Sequence, residues 1–577
     1  MSVEVWAPLA DRVELVVNSV ASPMRIDEAR SGWWTSTLNL AQGDDYGFRL
    51  DGGDVLPDPR GRWLPNGVSG PSRAWNPPSR SLRRPEGGSP WRGVPWSDAV
   101  LYELHVGTFT PAGTLDAAIA HFDHLIDLGI TLVELLPLQA FDGPRGWGYD
   151  GVAPFTVHEA YGGPEALVRF VDAAHARGLG VVLDVVHNHL GSSGNYLPQF
   201  GPYFTARHTT PWGPAINLDA PGSDEVRAYL LDSVRGWFTD FAVDGLRLDA
   251  VHELCDGRAL TFLEEITEQV EELERELGRP LHLIAESDRN DPATVTARAN
   301  GGIGLGAQWA DDVHHGLHWW LTSESSGYYS DFASPVALEQ VLSSVFRHDG
   351  SYSSFRGRRH GRPIPRSLVS PDQFVVSLQT HDQVGNRAQG ERLSQLVTNP
   401  GLLAAGIAVL SALPFTPMLF MGEEWAASTP WLFMTSFADS ELGSAVFGGR
   451  AQEFPDIAWK SDVPDPQDES TFQASKLVWD EREARPHAQM LRWYRDVLTA
   501  RRTRHHHRFD EWDFVVEVAP DASWIMLRCD GVVTIACRKA VHVPVNQELP
   551  LRLSWGVVSD SDDGVVRFVG PGAAVFW

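Results

Sequence analysis

Between residues 100 and 421 the chain repeats one texture eight times. A short apolar, β-like run is followed by a helical pattern or a long loop. The runs are 100–107 (VLYELHVG), 131–137 (TLVELLP), 180–186 (GVVLDVV), 245–250 (GLRLDA), 282–287 (HLIAES), 306–311 (GAQWAD), 374–380 (FVVSLQT) and 417–422 (PMLFMG). Residues 115–128, 166–176 and 224–241 carry apolar residues at helical spacing between them. Eight strand-plus-helix units in succession predict an α/β chain whose core is a (β/α)₈ barrel with insertions. An open doubly wound sheet is the alternative, but no Gly-x-Gly-x-x-Gly turn follows the first run.

A chain of 577 residues exceeds a single core, so flanking domains are expected. Residues 1–90 read as short strands broken by turns, the pattern of a small β-sandwich. Residues 71–95 are rich in Pro, Ser, Gly and Arg and read as a connector. The barrel then occupies 91–510. A C-terminal β-domain occupies 511–577, with a hairpin predicted from 523–529 and 532–537 around the turn Asp530-Gly531.

The net charge of -28 argues against a nucleic-acid partner, which demands a basic surface. The basic cluster at 501–508 reads as the solvated end of a helix or an interdomain loop. No apolar run is long enough for a bilayer, and the first residues lack a secretory pattern, so a cytoplasmic location with no membrane partner is expected. Cys255, Cys529 and Cys537 form no paired framework and are expected as free thiols. Asp184, His187 and His189 lack the further oxygen ligands that an essential divalent cation would require, so no metal and no cofactor are implied. The 22 tryptophans suit both core packing and stacking on sugar faces.

Catalytic groups of such a barrel belong at the C-terminal ends of its strands. There the third run leads into Asp184 and His189, the fourth carries Arg247 and Asp249, the fifth Glu286, and the seventh leads to His381 and Asp382. Arg247 and Asp249, two apart in a strand, share a face, so the guanidinium is expected to lower the Asp249 pKa and keep it ionised. Glu286 closes an apolar strand, where desolvation raises a carboxyl pKa and suits a general acid. Two carboxyls in opposite protonation states are what glycoside hydrolysis needs. A third, Asp382, would stabilise positive charge, with His189 and His381 on sugar hydroxyls.

Over residues 100–421 these segments resemble the sequence regions of the α-amylase superfamily of glycoside hydrolases. The resemblance implies Asp249 as nucleophile, Glu286 as acid/base and Asp382 as transition-state stabiliser. Arg247, His189 and His381 would surround the sugar, over the aromatic Tyr149 of 146–151 (GWGYDG). The stretches 286–292 (ESDRNDP), 308–315 (QWADDVHH), 327–332 (GYYSDF), 381–387 (HDQVGNR) and 435–437 (TSF) are similar to a trehalose-releasing branch of the superfamily. That branch cuts the α-1,4 bond next to the terminal trehalose unit of maltooligosyltrehalose, a substrate supplied by maltooligosyltrehalose synthase. The implied partners are therefore maltooligosyltrehalose and related α-1,4-glucans. Specificity candidates are His252, then Trp309, Asp312 and His314 after the sixth strand, and Asn386 and Arg387 after the seventh. The chain departs from the branch at His187, where an aromatic is common. The rival within the superfamily is a glycogen branching enzyme. A non-catalytic carbohydrate-binding barrel is opposed by the presence of all three carboxylates.

Overall fold

The computed structural model describes residues 2–78, 90–453, 463–503, 511–545, 549–560 and 564–577. Each of the eight runs contains a strand: β1 (Leu101–Leu104), β2 (Leu132–Leu135), β3 (Gly180–Val185), β4 (Gly245–Leu248), β5 (His282–Ala285), β6 (Ala307–Trp309), β7 (Phe374–Ser377) and β8 (Thr416–Phe420). All pair in parallel in chain order, and β8 closes on β1. The open-sheet alternative is thereby excluded. Helices Gly163–His175, Ser223–Asp240, Phe262–Leu277, Asp311–Thr322 and Pro400–Ala412 follow β2, β3, β4, β6 and β7. After β5 only short 3₁₀ turns occur, and the pattern at 115–128 splits into two helices, Leu115–Ile119 and Phe122–Leu128.

The period of two along a strand decides what fills the barrel. Leu101, Leu132, Val182, Ile284, Val375 and Met418 form a buried apolar layer. Two residues further along their strands, the same inward face presents Glu103, Glu134 and Asp184, all buried. Strand register sets Glu103 opposite Glu134 and Asp184 opposite Arg247. The barrel therefore rests on an apolar floor and carries a charged layer directly beneath its catalytic end.

The leading segment forms two antiparallel sheets. One contains Ser2–Trp6, Arg25–Ile26 and Trp33–Asn39; the other centres on Val13–Val17 and Asp45–Leu50. These sheets lean on the barrel through aromatic pairs. Trp6 meets Tyr203 edge-on at 5.4 Å, Phe48 meets Phe200 at 6.3 Å, and Trp75 stacks on Phe241 at 5.4 Å. Leu64 and Val68 pack with Ala140 and Val152, which lie on the loop that follows β2.

At the other end a six-stranded sheet spans strands from Phe514–Val518 to Val565–Phe576. Its hairpin turns at Asp530 (φ 53°) and Gly531 (φ 72°), the left-handed pair that a tight two-residue turn needs. Cys529 and Cys537 sit at opposite ends of that hairpin as buried free thiols, and Cys255 is also free. Helix Pro400–Ala412 is apolar on nearly every side, because it lies between the barrel and this sheet.

The basic cluster reads differently at its start. Arg501 is buried and donates to the carbonyls of Ser411, Leu413 and Phe415. Those carbonyls lie at and beyond a helix end, where backbone acceptors lack helical partners and draw a guanidinium inward. Residues 504–508 lie outside the described residues, as do 79–89 of the connector. No helix among the described residues is long and apolar enough to cross a membrane.

Candidate active site

A cleft of about 390 Å³ opens at the C-terminal end of the barrel. Tyr149, His189, Asp249, His252, Glu286, His381, Asp382 and Asn386 all border it. Eight of the thirteen residues singled out from sequence thus converge on one space, although they span more than 230 positions.

Their arrangement follows from the strand ends. Asp249 continues the β3–β4 ladder through its N–H to the Val185 carbonyl at 3.1 Å, and Glu286 continues the β4–β5 ladder through its N–H to the Leu248 carbonyl at 3.0 Å. Between the two loops, Ala250 takes a left-handed conformation (φ 39°, ψ 53°). Its N–H donates to Glu286 Oε2 at 2.9 Å, and the next N–H, of Val251, donates to the Glu286 carbonyl at 3.0 Å. The strained turn is held by these bonds, which fix Glu286 against the segment carrying Asp249.

Arg247 lies fully buried just below. Its Nη1 donates to Asp249 Oδ1 at 2.9 Å and to Asp184 Oδ2 at 2.7 Å, while Nη2 forms an ion pair with Glu286 Oε2 at 2.8 Å. One guanidinium shared by Asp249 and Glu286 keeps the two carboxyls close, within reach of the roughly 5 Å separation that retaining glycosidases use. Arg247 also sits 4.3 Å over the Trp309 ring, which supports the cation from behind.

The charges are set by burial first. Desolvation raises Glu286 to about 7, despite the pull of Arg247, and the neighbouring Asp249 and Asp382 add to the rise. Burial also raises Asp249, with Arg247 and a hydrogen bond from Asn188 opposing it. This corrects the expectation that the guanidinium would leave Asp249 with a lowered pKa: Arg247 does pull it down, but the net shift is upward. The guanidinium is shared among three carboxylates, and the desolvation of a deeply buried group outweighs its share. Asp382 lies below the ordinary carboxylate value: burial pushes it up, but the charge and hydrogen bond of His381 win. His381 lies well above the ordinary imidazole value, because Asp382 and Glu103 together outweigh desolvation.

Tyr149 stacks near-parallel on His381 at 5.2 Å and donates its hydroxyl to Asp184 at 2.6 Å. His189 Nδ1 donates to Asn188 Oδ1 at 2.5 Å, and its Nε2 faces the Tyr149 carbonyl at 3.0 Å. Burial lowers His189 to about 4, and the ring is braced by protein groups as well as forming an edge of the cleft. His252 accepts from the Asp288 N–H at 3.3 Å.

Five sequence candidates do not border the cleft. Arg247 and Trp309 lie beneath it. Asp312 and His314 are on helix Asp311–Thr322, not on a loop, and face inward. Asp312 accepts from Asn290 (2.8 Å) and from the Arg347 N–H (2.7 Å), and His314 Nδ1 bonds the Leu378 carbonyl at 2.8 Å. Arg387 pairs with Glu324 at 3.0 Å. These three are internal ties: helical periodicity turns Asp312 and His314 away from the opening, and Arg387, in the loop beyond helix His381–Gly385, is drawn aside by its ion pair with Glu324.

Four residues at the site went unread in the sequence. Trp147 stands two before Tyr149 in GWGYDG, and Asn188 stands between His187 and His189. Trp212 stacks on His189 at 4.1 Å from the tip of the hairpin Phe204–Thr210/Gly213–Ile216, and Phe433 comes from beyond β8. The first two were legible as motif neighbours; nothing local marked the others. His187 is buried off the cleft, both ring nitrogens lacking a partner, and burial lowers it to about 4. Among the described residues no group of three or more His, Cys, Asp or Glu side chains is placed to hold a metal ion.

The comparisons bear directly on this architecture. The family model "Alpha amylase, catalytic domain" matches residues 80–201. A crystal structure described as a putative alpha amylase from Salmonella typhimurium superposes with a TM-score of 0.89 at 36% identity, covering 100% of this chain and 97% of that one. The fold and these matches define a glycoside hydrolase of the α-amylase class. Within it, the malto-oligosyltrehalose trehalohydrolase of Rhizobium sp. (strain M-11) is 51% identical over 92% of this chain and 89% of its own length. That of Mycobacterium tuberculosis (strain ATCC 25618 / H37Rv) is 46% identical over 98% and 97%. The chain belongs to the malto-oligosyltrehalose trehalohydrolase family.

Proposed function

We propose that this protein hydrolyses the α-1,4-glucosidic bond next to the terminal trehalose of maltooligosyltrehalose, with retention, through Asp249, Glu286 and Asp382. The observation that carries the reading is the Arg247 guanidinium shared by Asp249 (2.9 Å) and Glu286 (2.8 Å) at the floor of one cleft. Protonated Glu286 gives its proton to the glycosidic oxygen as that bond breaks and trehalose leaves. Asp249 bonds to the anomeric carbon of the maltooligosyl part. Glu286, now a carboxylate, takes a proton from water, which attacks the same carbon and frees Asp249. Asp382 offsets the positive charge that develops on the ring, and Tyr149 offers an aromatic face to the sugar.

We take residues 1–90, 91–510 and 511–577 as the three domains, the first buttressing the barrel through its aromatic contacts. The reading carries a cytoplasmic location and maltooligosyltrehalose synthase as the source of substrate; the net charge of -28 argues against nucleic acid as a partner.

The test is product analysis of the purified protein on maltotriosyltrehalose beside maltopentaose. Trehalose and maltotriose in equal amounts are expected from the first, at a much higher rate than any cleavage of the second. Transfer of glucan to new branch points, with no trehalose released, would mean a branching enzyme instead.

A further inference from the structure

One buried carboxylate touches the site from below and has no part in the mechanism just given. Glu103 is on β1, 1% exposed. Its Oε1 accepts from His381 Nδ1 at 2.5 Å, and its Oε2 accepts from the His381 backbone N–H at 3.0 Å. Both oxygens are committed to one residue, 278 positions away in sequence. A pair of bonds to a side chain and to its own backbone fixes the rotation of the imidazole as well as its proton.

The consequence appears at the other nitrogen. His381 Nε2 lies 2.9 Å from the Tyr149 hydroxyl and 3.3 Å from Asp382 Oδ1. With Nδ1–H given to Glu103, a neutral ring would leave Nε2 as an acceptor facing a carboxylate. A charged ring makes Nε2 a donor toward Asp382 and the tyrosine. We infer that Glu103 is a positioning residue for the hydrolysis, holding His381 as an imidazolium so that Nε2–H orients Asp382 and Tyr149.

The surroundings favour this state. His381 is faced by Glu103 on β1, Glu134 on β2, Asp184 on β3 and Asp382 beside it, and Arg247 on β4 acts on the same Asp184 and Asp382. Trp147, Tyr149, Trp309 and Trp431 wall it with rings, and His105 is a further basic group nearby. Arg247 is already shared among three carboxylates. Glu134 is driven toward its neutral form by burial and by the charge of Glu103 beside it. Glu103 and Asp382 are thus the two carboxylates that the imidazolium balances. The inference rests on the hydrolase reading given above, yet its core, the charge of one histidine, is measurable without any substrate.

Two measurements decide it. In wild-type protein labelled in histidine ¹⁵N, the resonances absent from H381Q belong to His381. They are expected to keep imidazolium shifts up to pH 8.5, and neutral-ring shifts at pH 7.5 would overturn the inference whatever the substrate. In kinetics, E103Q is expected to lower kcat by roughly tenfold or more with a smaller change in KM. Its alkaline limb should move to lower pH as His381 becomes able to lose its proton, and E103D should recover part of the rate. The double variant E103Q/H381Q should be no slower than H381Q alone, since Glu103 acts through that ring. Wild-type kinetics in E103Q, or additive losses in the double variant, would refute it; absence of trehalose release from the wild type would instead count against the functional reading.

Discussion

The amide of Asn188 grips Asp249 twice: Nδ2 donates at 2.7 Å to the backbone carbonyl of Asp249 and at 2.7 Å to its Oδ2. Both amide protons are spent on one residue, and the remaining Oδ1 accepts from His189. With Arg247 on Oδ1, Asp249 is oriented from two sides while its outer edge meets the cleft. An acceptor-only carboxylate facing the amide also fixes which way Asn188 points.

Asn188→Ala removes the two donors and leaves a buried carboxylate with a single partner. A fall in kcat of about 10²- to 10³-fold is expected, with KM little changed. Asn188→Asp should be worse still, because it sets a second anion against Asp249. Steady-state trehalose release measures both, and a near-normal kcat in Asn188→Ala would show that Arg247 alone positions Asp249.

Asp249→Asn and Glu286→Gln should each lose more than about 10³-fold in turnover while keeping the circular dichroism of the wild type. Each substitution preserves shape and removes only the charge or the acidic proton. Substantial activity in either variant would remove that residue from the chemistry.

The pH dependence follows from Glu286. A general acid works only while protonated, so kcat/KM should fall as pH rises through about 7. The acid limb should reflect Asp249 with its coupled neighbours, not a single group. An alkaline limb displaced above pH 9 would contradict the assignment of Glu286 as the acid.

His187 offers a stability test. Its folded pKa of about 4 lies below the ordinary imidazole value of 6.5, so the unfolded chain takes up the proton first. The stability tied to its neutral form is complete above pH 6.5 and is lost as pH falls toward 4. His187→Phe removes this dependence and two unpartnered buried nitrogens. The stability of the variant relative to wild type should improve by about 2 kcal/mol between pH 7 and pH 5. Thermal unfolding at both pH values gives the comparison, and a pH-independent difference would mean the buried ring is already protonated or exposed.

The sequence by itself determined the strands, and with them the barrel. Runs such as GVVLDVV and FVVSLQT have one fate in a chain of alternating helices, and the polar residues that end them belong at the catalytic rim. It also placed Asp249, Glu286 and Asp382 at one rim, because strand ends and the turns just beyond them fix position without knowledge of the neighbours. Only the tertiary structure decided which polar residues face the opening. Asp312, His314 and Arg387 stand in the same stretches as true rim residues, yet helix rotation and loop pairing turn them into internal ties. Trp212 and Phe433 reach the cleft from an inserted hairpin and from beyond β8, where no local pattern marks a destination. The direction of the Asp249 pKa was likewise a property of depth: an adjacent arginine is visible in sequence, whereas desolvation depends on everything packed around it.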